Sequence, residues 1–422
     1  MNTMQILSII IFIATMVFIM TERVHRMTAA LAGAVMMILC GVLTVHSSVG
    51  YIDADTICIL VGMMLFVSVV KKSGLFEFIA VKSAKIVKGR AWAIMVAFII
   101  ITAVLSAFLD NVTTVLLIGP MTFAITKALE LNPVPFIMTQ IMASNIGGTA
   151  TLIGDPPNIM IGSAAGLSFM DFIFNVGPAV IIVLLATTVM FYGIYGRKLK
   201  TEQDKIENLM LMDENLEIKD KTLMIKSVVM IFVMIFAFVF QDSLGLESAI
   251  IALGAAVIMM LIGRQEIEQI VEGVEWTSII FFVGLFVVVG GLQESGVIGM
   301  LATFIIDVTE GKMLIAIIVI LWASAILSAF LDNIPFVATM IPLIMAMGDA
   351  GIDVMPLWWA LSLGACLGGN GTLIGASANV VLSGISAREG HPIGFRQYMK
   401  VGFPLMLVSI CICTVYMIVR FG

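Results

Sequence analysis

The chain has 422 residues, 61% of them hydrophobic and only 12% charged, with mean hydropathy +1.14 and net charge −6. A soluble chain of that length could not cover so much apolar surface, and many apolar runs reach the roughly 20 residues needed to cross a bilayer. This excludes a soluble enzyme or nucleic-acid binder and predicts an all-α polytopic membrane protein whose first partner is the lipid bilayer.

Hydropathy places spans near 4–20, 27–45 and 53–70, the first lacking the basic lead and cleavage site of a secretory leader. A basic, weakly amphipathic segment over 75–90, with Lys82, Lys85, Lys88 and Arg90, reads as an interfacial helix. The apolar run 91–126 is interrupted by Asp110-Asn111, which predicts a re-entrant hairpin. Run 135–170 is broken by Gly147-Gly148 and by Gly154-Asp155-Pro156-Pro157-Asn158, and a span follows at 176–196. The charged segment 197–222 reads as a solvated cytoplasmic linker. Spans near 224–241, 247–263 and 275–293 follow, then an amphipathic piece at 297–310. A second interrupted run (313–348), a glycine-broken run (356–386) and a last span (401–420) complete the chain.

The second part repeats the first. Ser106-Ala-Phe-Leu-Asp-Asn111 returns 222 residues later as Ser328-Ala-Phe-Leu-Asp-Asn333. Pro120 matches Pro342, Gly147-Gly148 matches Gly368-Gly369, Thr151-Leu-Ile-Gly154 matches Thr372-Leu-Ile-Gly375, and Asn158 matches Asn379. The division is therefore 1–196, linker 197–222 and 223–422. With a hairpin counted as a return, each part crosses five times, and an odd count makes the repeats inverted. Placing the 21–26 loop in the cytoplasm leaves only Lys312 and Arg420 of the 22 Lys and Arg residues outside. Both termini are then outside the cell membrane, and the hairpins enter from opposite faces. Inverted repeats with broken helices meeting at midplane describe a secondary transporter moving its cargo by alternating access.

Buried carboxylates and carboxamides in such runs are functional candidates by default. Asp110, Asn111, Asp332 and Asn333 are hard oxygen donors suited to Na⁺ or, on Asp, a proton. Thr113 and Thr114 offer hydroxyls near the first tip, and Pro335 falls in the first turn after the second. Asn145, Gly147, Gly148, Thr149, Asp155 and Asn158 surround the first break; Gly369, Asn370 and Asn379 surround the second, which lacks a counterpart of Asp155. Capping alone is the plain alternative, by Asp110 and Asn111 at the first tip and by Asn333 at the second, although Asn or Ser would cap without the cost of an ionised Asp in both copies. A glycine-kinked packing helix is the alternative for the breaks. No Lys or Arg lies within these motifs, so an anion would depend on helix dipoles and a co-bound cation. The five cysteines show no metal or disulfide spacing, no cofactor is expected, and Trp92, Trp276, Trp358 and Trp359 read as an interfacial belt.

Ser106 to Thr114, Asn145-Ile-Gly-Gly148 with Ile153 to Asn158, and Glu275-Trp276 leading to Phe286-Val-Val-Val-Gly-Gly291 resemble the ion transporter superfamily. The similar branch holds the arsenite permeases, NhaD-type antiporters and the pink-eyed-dilution P protein, with the dicarboxylate/sodium symporters more distant. The resemblance implies Na⁺ or H⁺ coupling, a homodimer, elevator-like motion and the option of a cytoplasmic ATPase subunit. It ranks an arsenite-like oxyanion or acid first, sodium–proton exchange second and citrate or a dicarboxylate third. A passive channel and an intramembrane aspartyl protease built on Asp110 and Asp332 are readings from other classes.

Overall fold

The computed structural model describes residues 2–21, 23–199, 203–211, 213–309 and 312–422, so parts of the predicted linker (200–202 and 212) and residue 310 of the amphipathic piece lie outside it. Among the described residues every regular element is helical. The first half contains α1 (Thr3–Thr21), α2 (Arg26–Leu39), α3 (Val45–Gly50), α4 (Ala54–Lys71), α5 (Leu75–Ile86) and α6 (Ala91–Phe108). It continues with α7 (Asn111–Ala128), α8 (Val134–Thr149), α9 (Pro156–Ala165), α10 (Phe169–Asn175) and α11 (Gly177–Phe191). After α12 (Gln203–Leu211) come α13 (Lys221–Val239), α14 (Gln241–Leu244), α15 (Ser248–Gly263), α16 (Ile267–Glu272) and α17 (Trp276–Glu294). The chain ends with α18 (Val297–Thr309), α19 (Met313–Phe330), α20 (Asn333–Asp349), α21 (Met355–Gly368), α22 (Ser377–Arg388) and α23 (Phe395–Phe421). Among the described residues, eight helical segments are individually long and apolar enough to cross a membrane.

The two halves pack by the same contacts, set by small residues that let backbones approach closely where lipid supplies no hydrophobic drive. A methyl group on Gly147 would lie 2.1 Å from the Ala103 carbonyl oxygen, and the Thr151 hydroxyl donates to the Ala107 carbonyl. The sequence offset along this seam is constant, so α6 and α8 run parallel. The second half repeats it: Gly368 abuts Ala325, and Thr372 donates to the Ala329 carbonyl, between α19 and α21. For α8 to start level with α6, α7 must run back beside them, which puts Asp110 at a hairpin turn; Asp332 stands at the same point between α19 and α20.

The halves also exchange partners. Gly284 of α17 sits against Ala30 of α2, and Gly291 against Met37, while Gly62 of α4 sits against Ala252 of α15. The start of α4 lies beside the end of α17, where the Tyr51 hydroxyl bonds Glu294. Its far end lies beside the approach to α17, where Ser68 Oγ donates to the Ile270 carbonyl at 3.1 Å. The corresponding helices α4 and α17 therefore run in opposite directions.

Three details differ from the sequence reading. The broken run extends to α10, reached through a 111° bend after α9, because Gly166 takes the left-handed φ of 63° and Ser168 starts α10 with a capping box. The charged segment is more than a solvated linker: Leu209 is fully buried, Lys219 pairs with Glu77 at 2.8 Å, Lys85 pairs with Glu214, and Lys219 N–H donates to the Ser73 carbonyl. Amphipathic spacing within a charged stretch hid that docking onto α5. Trp358 and Trp359 are buried rather than interfacial, Trp359 meeting Phe172 edge to face at 5.3 Å.

Gly147→Ala should lower the thermal unfolding temperature in detergent, since its Cβ meets backbone that cannot yield, a cost on the order of 1–3 kcal/mol or more. Gly254→Ala, with open space at the Cβ, should leave it unchanged.

Candidate functional site

The site begins with the backbone at four helix breaks, whose free amides and carbonyls need partners at membrane depth. At the hairpin turns Leu109 and Leu331 are extended, and the next residue caps. Asp110 Oδ1 accepts the Thr113 amide at 2.8 Å, and Asp332 Oδ1 accepts the Ile334 amide at 3.2 Å. At the first mid-membrane break Asn158 Nδ2 donates to the carbonyls of Thr149 (3.0 Å) and Thr151 (2.9 Å), and its Oδ1 accepts from Ser362 at 2.7 Å. Asn379 repeats this with the carbonyls of Gly369 (2.7 Å) and Thr372 (2.9 Å). Both asparagines thus hold unwound backbone in shape.

The N-termini of α7, α9, α20 and α22 converge on one cavity of about 20 Å³, room for a single water-sized species. Their dipoles make the region favourable for negative charge. Asp155 stands there, 1% exposed, at the N-cap position of α9, yet its side chain caps nothing. Asn111 Nδ2 donates to its Oδ1 at 3.2 Å, and Asn333 Nδ2 lies 3.4 Å from both oxygens. The asparagines of the two hairpin turns therefore meet on one carboxylate. Among the described residues no Lys, Arg or His is within salt-bridge distance of Asp155. Behind it, Asn145 Nδ2 donates to Asn370 Oδ1 and Asn379 Oδ1, each at 2.9 Å, and this joins the two breaks.

The other expected residues take supporting places. Thr113 contributes its amide to the Asp110 cap, the Thr114 hydroxyl is buried without a partner, and the Thr149 hydroxyl bonds its own helix at the Asn145 carbonyl. Gly147 and Gly148, expected at the break, lie inside α8, which continues to Thr149 before the chain unwinds; with Gly369 they are sites of close backbone approach, and Pro335 is buried in the first turn of α20. Asp110 and Asp332 share no hydrogen bond. Among the described residues no cluster of three or more His, Cys, Asp or Glu is arranged to hold a metal, so a cation beside Asp155 would depend on that carboxylate together with amide and carbonyl oxygens, with Asp110 and Glu275 elsewhere on the cavity wall.

Sequence reasoning missed Arg26, the first residue of α2. Its Nη1 donates to Asp332 Oδ2 at 3.2 Å and to Ser377 Oγ, its Nη2 donates to Ser278 Oγ at 3.0 Å, and the guanidinium carbon stands 5.4 Å from the Phe281 ring centroid. Glu275, which accepts from Ser278 Oγ at 3.1 Å, also lines the cavity. No local pattern reveals these contacts, since Arg26 and Asp332 are 306 residues apart. A basic residue opening an apolar helix was the one available signal.

Helical hairpins and broken helices gathered around a buried polar centre define a polytopic membrane transporter. A family model described as a citrate transporter (CitMHS) matches residues 16–364, and the chain belongs to that family. An uncharacterized transporter of Mycobacterium tuberculosis is 39% identical over 426 residues, covering 99% of both chains. The P protein of Homo sapiens is 32% identical over 95% of this chain, which spans 58% of that longer protein. The crystal structure of the Alcanivorax borkumensis YdaH transporter, a protein of unusual topology, shares the fold at TM-score 0.59 and 14% identity, covering 90% of this chain and 87% of that one. The chain is a multi-pass membrane transporter of this family.

Asn158→Ala should lower thermal stability by about 1–3 kcal/mol through its orphaned carbonyls. The unfolding temperature of the purified variant checks this, and an unchanged value would return Asn158 to the candidate ligands.

Proposed function

We propose that the protein is a cation-coupled secondary transporter of a small anion, working by alternating access, with Asp155 as the coupling carboxylate. The observation that carries this is the setting of Asp155, which is buried, free of any capping bond, faced by two carboxamides and, among the described residues, without a basic group in salt-bridge contact, since Arg26 on the same cavity wall is engaged by Asp332. An ionised carboxylate at membrane depth costs several kcal/mol unless compensated. The helix dipoles and two amide donors offset part of that cost, and a proton or a Na⁺ ion supplies the rest. The cavity of about 20 Å³ suits such an ion and is too small for an organic acid.

Alternating access rests on inverted repeats, a reading supported by the opposite directions of α4 and α17 and by the paired hairpins. The distribution of Lys and Arg favours both termini outside the cell membrane. The resemblance to arsenite permeases favours an oxyanion, while the family description and the presence of Arg26 favour a carboxylate such as citrate, which we place first. Capture of arsenite by thiolates has little support, because among the described residues Cys366 is the one cysteine at the site, its thiol 3.5 Å from Asn158 Oδ1. Sodium–proton exchange is the second reading, since the Asp155 site alone would serve it.

Proteoliposomes given a Na⁺ or proton gradient, with citrate, arsenite or no added anion, test this. The wild type should take up an anion only under a gradient, and Asp155→Asn should fall to background while keeping its expression and unfolding temperature. Undiminished gradient-driven uptake in Asp155→Asn would remove Asp155 from the coupling role. Asp110→Asn keeps the capping oxygen and should remain folded; uptake equal to wild type would leave Asp110 as a cap.

A further inference from the structure

We propose that Arg26 is the anion-binding residue of this carrier and that Asp332 occupies its guanidinium until an anionic substrate, a small carboxylate, displaces it. The inference builds on the transporter reading above and adds the place where the anion is held.

Two cavities meet at this side chain. Arg26 and Ser377 line both the inner cavity beside Asp155 and a second cavity of about 310 Å³, whose wall also includes His25, Asp332 and Ala376. The larger space is at the low end of small-molecule sites, mostly apolar with a few convergent polar groups. It can take a small di- or tricarboxylate, which the inner cavity cannot.

The guanidinium is held ready for exchange. Ser278 and the Phe281 ring fix its plane, and Ser377 Oγ donates to Asp332 Oδ2 at 3.2 Å beside it. Asp332 engages it through Oδ2 alone, because Oδ1 caps α20. A substrate carboxylate can offer two oxygens to the same fork, the stronger bidentate geometry. Asp332 keeps its cap when it lets go, so exchange does not require α20 to unravel. A half-buried pair of this kind adds little to stability, which leaves its placement between two cavities unexplained by folding alone.

The asymmetry between the halves also points here. The position of Asp155 at the first break is filled by Ala376 at the second, and that of Pro156 by Ser377. One break therefore presents a carboxylate to a cation. The other presents a hydroxyl and the N-terminus of the 12-residue α22 beside Arg26, with Asp332 as the nearby competitor.

Binding of citrate, and of inorganic phosphate as a second probe, to the purified full-length protein by isothermal calorimetry tests the assignment. Arg26→Gln should weaken citrate binding by about tenfold or more while keeping the thermal shift produced by Na⁺ or low pH at Asp155. Asp332→Asn, which retains a capping oxygen, should bind citrate several-fold more tightly than wild type, and the double variant should bind as poorly as Arg26→Gln. Weaker binding in Asp332→Asn, wild-type binding in Arg26→Gln, or no binding of either anion to the wild type would each overturn the proposal. Absence of cation-driven flux in wild-type proteoliposomes would instead strike the cation-coupling reading, and the calorimetry would still decide the role of Arg26.

Discussion

Unwound backbone at membrane depth is the constraint on which this structure depends. Each break in a transmembrane helix frees amides on one side and carbonyls on the other, and lipid satisfies neither. The protein answers with paired devices. Asp110 and Asp332 take the amides of the hairpin turns, while Asn158 and Asn379 take the carbonyls at the mid-helix breaks. Once four such breaks face one another, four helix N-termini concentrate positive potential at one place. A buried carboxylate becomes tolerable there and unfavourable almost anywhere else in the bilayer.

The repeat makes the frame nearly symmetric, and departures from symmetry carry the chemistry. Asp155 has alanine as its counterpart, and among the described residues Arg26 pairs with the aspartate of the second hairpin rather than that of the first. The duplicated Asp-Asn pair is thereby split in role. Its aspartates act first as caps, one of them ion-paired, whereas both asparagines turn to Asp155. The breaks are tied behind this centre by the Asn145–Asn370–Asn379 bonds, so a shift of one hairpin is felt by the other through a shared set of amides.

Much of the architecture was legible in the residues. Rare Asp, Asn, Gly and Pro residues kept in register across 222 positions exposed the repeat, whereas Gly147 and Gly368, expected to break their helices, lie within α8 and α21 and serve as the seams where backbones touch. Capping by Asp110 was also legible, because an Asp before a helical run has a local geometric use; at the second tip, where Asn333 was the expected cap, Asp332 takes that place and frees Asn333 for Asp155. Docking of the charged segment onto α5 was not, since its apolar residues are scattered among many charges and which of them is buried, as Leu209 is, depends on what lies opposite.

Sequence by itself determined that the chain lives in a membrane, that it is built twice, and where its helices break, because apolar run length and residue spacing are local properties of the chain. Tertiary structure alone decided which carboxylate stands free and which is paired. Asp110, Asp155 and Asp332 are equivalent as letters. Their differences arise from partners far away in the chain: Asn111 and Asn333 closing on Asp155 from two hairpins, and Arg26 closing on Asp332 from α2. A buried charge takes its character from the groups within a few ångströms, and only the packed helices specify those.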